Sequence, residues 1–172
     1  MRQDEIVDDK INALAEGPKF SFKDWPVSAV PDVAAGVYSI WDQDQLVYVG
    51  MSGRGATTQL LNEKRSGSKR FGLFTRLGSH ASGRRSGDQF CVYVADHLVL
   101  PRLSVDQIDA ISRKELLFDN LIRKYIHDRL SFRFIETSSG DEALRIEDDV
   151  KSGALGQKPL LNPTKRTVPT QV

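Results

Sequence analysis

The spacing of apolar side chains changes along this chain, and each change predicts an element. Ile6, Ile11 and Leu14 recur at helical intervals and predict a helix over 3–15, followed by a connection through Phe20, Phe22, Trp25 and Pro26. Val37, Ile40 and Trp41 precede the polar run Asp42-Gln43-Asp44-Gln45, and Leu46, Val47 and Val49 follow it. Branched and aromatic residues of this kind suit a half-buried pleated surface, so the stretch reads as a hairpin with its turn at 42–45. A turn centred near Gln43 or Asp44 makes Tyr38 and Tyr48 cross-strand neighbours, roughly 5 Å apart at Cβ.

Beyond the hairpin, 51–72 is rich in Gly, Ser and basic residues, with a helical turn around Thr58 to Lys64. A helix through Arg76 follows, with Gly83 near its end, and alternation from Gln89 to Ala95 reads as a third strand. Ser104 with Gln107 three residues later is a capping-box start. Ile108, Ile111, Phe118, Ile122, Tyr125 and Ile126 then carry one long helix to about Leu130. Phe132, Phe134 and Glu136 alternate as a further strand, Gly140 ends it, and a helix through Glu147 runs to about Ser152. The order predicts a small α/β sandwich: a central, mainly antiparallel, three- to four-stranded sheet flanked by helices. No internal repeat or linker divides it.

A chain of 172 residues with 40 % apolar and 27 % charged content fits one domain. No apolar run approaches the ~18 residues of a membrane span, and Met1-Arg2-Gln3-Asp4-Glu5 lacks the apolar stretch of a signal peptide. A cytoplasmic protein with no membrane partner is expected. The single cysteine, Cys91, excludes an internal disulfide and reads as a small core residue. The net charge of +1 carries no message, but its distribution does. Between Met51 and Ser86 stand Arg54, Lys64, Arg65, Lys69, Arg70, Arg76, Arg84 and Arg85 against the lone acid Glu63. Residues 136–149 carry Glu136, Asp141, Glu142, Glu147, Asp148 and Asp149. A basic field beside an acidic helix suits a phosphate backbone held over a metal.

Two tyrosine motifs sit on the hairpin, Gly36-Val37-Tyr38 and Tyr48-Val49-Gly50, with Val30-Pro31-Asp32 upstream. Together they resemble the signature of the GIY-YIG nuclease superfamily. The rest of that family's polar set has counterparts in order: Arg76 and His80, four residues apart on one helix face; Glu147 in Asp141-Glu142-Ala143-Leu144-Arg145-Ile146-Glu147; and Asn162 in Pro159-Leu160-Leu161-Asn162-Pro163. The resemblance spans about 30–163. It implies a nuclease domain at 35–163 with insertions at about 51–72 and 97–130, an N-terminal extension at 1–34 packed on the core, and a flexible tail at 164–172.

The resemblance also assigns roles. Glu147 is implied as the ligand of Mg²⁺ (or Mn²⁺), which suits one carboxylate plus substrate phosphate. Arg76 would donate to the scissile phosphate, Tyr38 would serve as base if a cation lowers its pKa, and Tyr48 would position water or phosphate. His80 would accept or orient the phenol's proton, and Asn162 would be a neutral phosphate donor or a brace. Ser52, Arg54, Lys64, Arg65, Lys69, Arg70, Arg84 and Arg85 are the candidate contacts to the DNA backbone. Gly50-Met51-Ser52-Gly53-Arg54-Gly55 lacks the Gly-Lys-Ser/Thr of a nucleotide-hydrolysing loop, and His97 and His127 read as surface residues. The expected function is a divalent-metal-dependent endonuclease acting on double-stranded DNA, restriction-like or defence-related. A repair or recombination nuclease, a catalytically silent or partner-dependent nucleic-acid-binding module, and an unrelated α/β interaction domain are the alternatives. Cutting both strands calls for a homodimer on the substrate or two encounters.

Overall fold

The computed structural model describes residues 3–163, with side chains from Asp8 onward; the expected tail at 164–172 lies outside them. The predicted hairpin is formed by β2 (Val33–Asp42) and β3 (Gln45–Ser52), following the short β1 (Phe20–Ser21). Gln43 and Asp44 make its turn, and Gln43 takes a left-handed φ of 56°. On the other side of β2 lies β5 (Leu130–Thr137), antiparallel, with β1 outside it. The spatial order is β1-β5-β2-β3, and the short β4 (Phe71–Gly72) pairs in parallel with Val33 and Ala34. The result is an open, five-stranded, mainly antiparallel sheet.

Helices cover both faces. On one, α3 (Leu73–Ser82), α4 (Gln89–Val94) and α6 (Phe118–Arg129) pack Leu77, Phe90, Ile122 and Ile126 against Tyr38, Ile40 and Phe132. On the other, α1 (Gln3–Glu16) and α7 (Gly140–Lys151) pack Leu14 and Ile146 against Val37, Trp41 and Val49. A side chain such as Ile126 or Ile146 contributes about 1.5–3 kcal/mol by leaving water. The buried Ser39 hydroxyl fixes α1 by donating to the Leu14 carbonyl at 2.7 Å, and it accepts the Trp41 indole N–H at 2.8 Å. The shorter α2 (Thr58–Arg65) covers the start of β2.

One irregularity matters for function. Trp41 faces Leu46 but Ile40 faces Tyr48, so Val47 is an extra residue in β3. Strict alternation from Leu46 would turn Tyr48 toward α1 and α7; the bulge turns it onto the Tyr38 face instead. Tyr38 itself stands opposite Gly50, so the expected direct Tyr38–Tyr48 pair is a diagonal one, with ring centroids 6.5 Å apart.

Two expected elements differ. Residues 89–95 form helix, not strand, because Asp88 caps the first turn by accepting the Phe90 and Cys91 amide protons, and Phe90, Cys91, Val94 and Ala95 are buried at helical spacing. The chain then continues through a π turn (Ala95–Val99) and a 3-10 turn (Leu100–Arg102). The single helix expected over 104–130 is two, α5 (Val105–Ser112) and α6. Lys114, at a left-handed φ of 62°, separates them, and the amides of Glu115 and Leu116 fold back to the Ala110 carbonyl. The Ser104–Gln107 capping box is present, yet α5 buries no residue. No helix among the described residues is long and apolar enough to cross a membrane.

Candidate active site

A cleft of about 270 Å³ opens where β3 runs into the loop after Ser52. Tyr38, Tyr48, Arg76, His80 and Glu147 line it, with Gly50, Ser52, Arg54, Asp88 and Phe90. The side chains arrive from both faces of the sheet. Arg76 and His80 share one face of α3, which ends at Gly83 in left-handed conformation. Glu147 comes from α7, whose start is locked against the loop after β3: the Gly140 amide donates to the Ala56 carbonyl at 2.8 Å. A Cβ on Gly140 would lie 2.1 Å from the Gly53 carbonyl oxygen, so only glycine permits this approach.

Beneath the cleft runs a buried hydrogen-bond chain. The Tyr38 hydroxyl lies 2.8 Å from Nε2 of His80, and Nδ1 of His80 lies 2.6 Å from Oδ2 of Asp88. Burial works to raise the Asp88 carboxyl, but the hydrogen bonds and charge of His80, with the Ser79 and Cys91 hydrogen bonds, hold it below the usual carboxylate range. An ionised carboxylate only accepts, so His80 carries its proton on Nδ1 and offers the Nε2 lone pair to the phenol. Burial depresses the His80 pKa despite the Asp88 contact, which keeps the ring neutral at pH 7.

Both phenols are shifted upward. Burial, followed by the charge of Tyr48, raises Tyr38 well above its ordinary value, and the opposing Arg76 charge is too small to reverse this. Tyr48 is pushed up to about 12 by burial and then by Glu147. The Arg76 charge alone therefore does not supply the lowering that the sequence reading asks of a cation, and the phenol is neutral and already bonded to His80. Phe90 closes the aromatic wall, its ring centroid 4.6 Å from His80 and 5.1 Å from Tyr48.

Glu147 is 7 % exposed, and its Oε2 lies 3.0 Å from the Lys151 ammonium. Among the described residues no three His, Cys, Asp or Glu side chains form a ready metal-ligand cluster. A hard cation that keeps several waters needs only one or two carboxylates. Glu147 provides one at the cleft, while Asp88 is committed to His80 and the α4 amides, so the donor set fits Mg²⁺ or Mn²⁺ and no softer metal.

Asn162 lies elsewhere than the cleft wall. Its Oδ1 accepts the Val49 amide proton at 2.9 Å and its Nδ2 donates to the Val49 carbonyl at 2.8 Å. Leu160 and Leu161 donate to the Leu46 and Val47 carbonyls, and Gln157 accepts from Leu46. This segment seals the outer edge of β3 around the bulge, and of the two roles the resemblance implies for Asn162 the geometry fits the brace, since both ends of its amide bond the Val49 backbone next to Tyr48. The cleft begins just past it.

The expected DNA contacts divide. Ser52 and Arg54 line the cleft. Lys69 and Arg84 are exposed. Arg70 pairs with Asp32 at 2.9 Å and stacks on Phe74, and Arg85 pairs with Asp119 at 2.7 Å beside Phe118. Lys64 lies over Phe71, and Arg65 bonds the Val33 carbonyl and Asn62. Four of the basic side chains thus have contacts within the protein. Arg76 takes part in no ion pair among the described residues.

Asp88 was absent from the sequence-derived set. The signal for it was the pair Gly87-Asp88, a left-handed glycine and a favoured N-cap residue, hidden by the strand reading of 89–95. Cys91 is a buried core residue; burial pushes its thiol up, and it contacts the His80 carbonyl at 3.6 Å. His97 is exposed, whereas His127 is half-buried and its Nε2–H donates to the Ala81 carbonyl at 2.7 Å. No protein-family model, curated protein or solved structure matches the chain.

Proposed function

We propose that this protein is a divalent-metal-dependent endonuclease of the GIY-YIG type that hydrolyses phosphodiester bonds in DNA. The observation that supports it best is the convergence of Tyr38, Tyr48, Arg76, His80 and Glu147, drawn from the four elements β2, β3, α3 and α7, on one cleft.

Hydrolysis needs a base for the attacking water, positive groups at the scissile phosphate, and relief for the departing oxygen. Tyr38 stays protonated at neutral pH, so it acts as a relay: its proton passes to Nε2 of His80 as it takes one from water. Asp88 then steadies the imidazolium. Arg76 donates its planar fork to the non-bridging oxygens. Tyr48, also protonated, donates to the phosphate or the water. Glu147 would hold the cation, which when bound supplies positive charge to the scissile phosphate and the leaving oxygen. The relay requires neutral His80, so the rate falls as pH drops through a His80 pKa that lies below the ordinary 6.5.

The test is incubation of supercoiled, branched and single-stranded DNA with Mg²⁺. Wild type nicks or linearises DNA, chelation stops it, and Glu147→Gln loses about a hundredfold or more. Intact DNA on every substrate would sink the reading. One observation favours a second reading, a binding module without catalysis: Lys151 already neutralises Glu147. Only the Lys151 end of that pair is open to water, and the Glu147 carboxylate also lines the cleft, so a divalent cation entering there competes with an ammonium that can swing out into solvent. DNA binding without any metal-dependent cleavage would establish the second reading.

A further inference from the structure

Ser52 is 4 % exposed, and its hydroxyl is the one buried side-chain polar atom among the described residues without a hydrogen-bond partner. An orphaned buried hydroxyl costs about 1–3 kcal/mol, so its persistence calls for a ligand that is absent. Its position says which. Ser52, Gly53 and Arg76 line the main cleft, and the same three residues line a second hollow of about 200 Å³ with Phe71, Gly72, Thr75 and Ser79.

This second hollow lies against the first turn of α3, a helix of 10 residues whose N-cap is Gly72, with no side chain capping the turn. The amides of an uncapped first turn carry partial positive charge and favour an anion. Thr75 does not supply the missing cap, because its hydroxyl donates to the Gly72 carbonyl at 3.0 Å. A donor without a partner, a helix N-terminus and a guanidinium thus face one small hollow. No carboxylate lines it.

We propose that this hollow is a second phosphate site, taking the phosphodiester next to the scissile one on the same strand. The inference rests on the nuclease reading of the main cleft. Arg76 stands between the two hollows, and its five N–H donors allow one edge of the fork to face each phosphate. Ser52 donates to a non-bridging oxygen of the flanking phosphate. The substrate is accordingly a polynucleotide presenting two successive phosphates, and an isolated phosphodiester is a poor one.

Two measurements test it. In the first, a defined oligonucleotide carries a neutral methylphosphonate at single positions flanking the cleavage point, and kcat/KM is compared in wild type and Ser52→Ala. A hydrogen bond to a charged oxygen is worth about tenfold or more, so one flanking substitution slows wild type by that factor and Ser52→Ala less than about twofold. Equal sensitivity in both proteins, or none at either flank, overturns the site while leaving the nuclease reading intact. In the second, amide NMR shifts are followed as inorganic phosphate is added. Shifts at Gly72–Arg76 that vanish in Ser52→Ala support the site even if no DNA is cut, and their absence from wild type overturns it. Thermal denaturation controls for folding: removing an unpartnered hydroxyl leaves Tm unchanged or raised, whereas a structural role for Ser52 would lower it.

Discussion

A Cβ on Gly50 would stand 2.2 Å from the Tyr38 hydroxyl oxygen and 2.5 Å from the ring carbon that carries it. The two residues face each other across the hairpin, and the phenol occupies the space that any other side chain at 50 would need. The glycine that closes the second tyrosine motif is thus there for the tyrosine of the first. It leaves the ring flat enough to reach His80.

Gly50→Ala should push the phenol away from Nε2 of His80. Overpacking of this kind costs about 1–3 kcal/mol in stability. Single-turnover cleavage should fall far more than the lowered Tm accounts for, because the relay is broken in molecules that remain folded. A variant that cleaves within twofold of wild type would show that the Tyr38–His80 contact is dispensable.

Arg76 should act on chemistry more than on affinity. Removing one donor to developing charge typically costs about 10²–10³ in kcat, and Arg76→Ala should fall in that range with DNA binding weakened only several-fold. Arg76→Lys should recover a minor part, since a point charge cannot match two oxygens at once. Rates and filter-binding constants on the same duplex separate the effects; equal losses in both would make Arg76 a simple anchor.

The hairpin, α3, β5 and α7 were legible because their apolar residues kept one period and their ends carried strong stops: the 42–45 turn, Gly83, Gly140 and Ser152. The site residues on those elements were legible for the same reason, since helical spacing alone places Arg76 and His80 together. Phe90 to Val94 misled, because a branched and aromatic run suits a buried short helix as well as a strand, and only the Asp88 cap decides. The Val47 bulge was hidden too. It depends on the pairing of β3 with β2 and with the edge residues Gln157 to Asn162, which lie more than a hundred positions away in sequence.

Asn162→Ala tests the brace. The change leaves the Val49 amide and carbonyl without partners on the outer edge of β3, at a cost of about 1–2 kcal/mol, read as a lower urea midpoint. Because the same edge holds the bulge that turns Tyr48 inward, turnover should fall with it. Asn162→Asp keeps the acceptor for the Val49 amide but loses the donor to its carbonyl, so it should lie between alanine and wild type. If Asn162 touched substrate instead, the alanine variant would lose activity with an unchanged midpoint.

Acid should unfold the protein in two stages set by the buried pair. His80 is depressed in the folded state, so the unfolded chain takes up its proton first, and stability is full above the ordinary value near 6.5 and falls as pH drops below it. Asp88 is also depressed, so its contribution is present above the ordinary carboxylate value of about 3.9 and disappears as pH falls through the lower folded value. Urea denaturation between about pH 4 and pH 8 should therefore show a loss in wild type that is absent from His80→Gln, which has no proton to gain in that window. Identical pH slopes for the two proteins would mean that His80 titrates as freely in the fold as outside it, and that the imidazole beneath Tyr38 is not held neutral by burial.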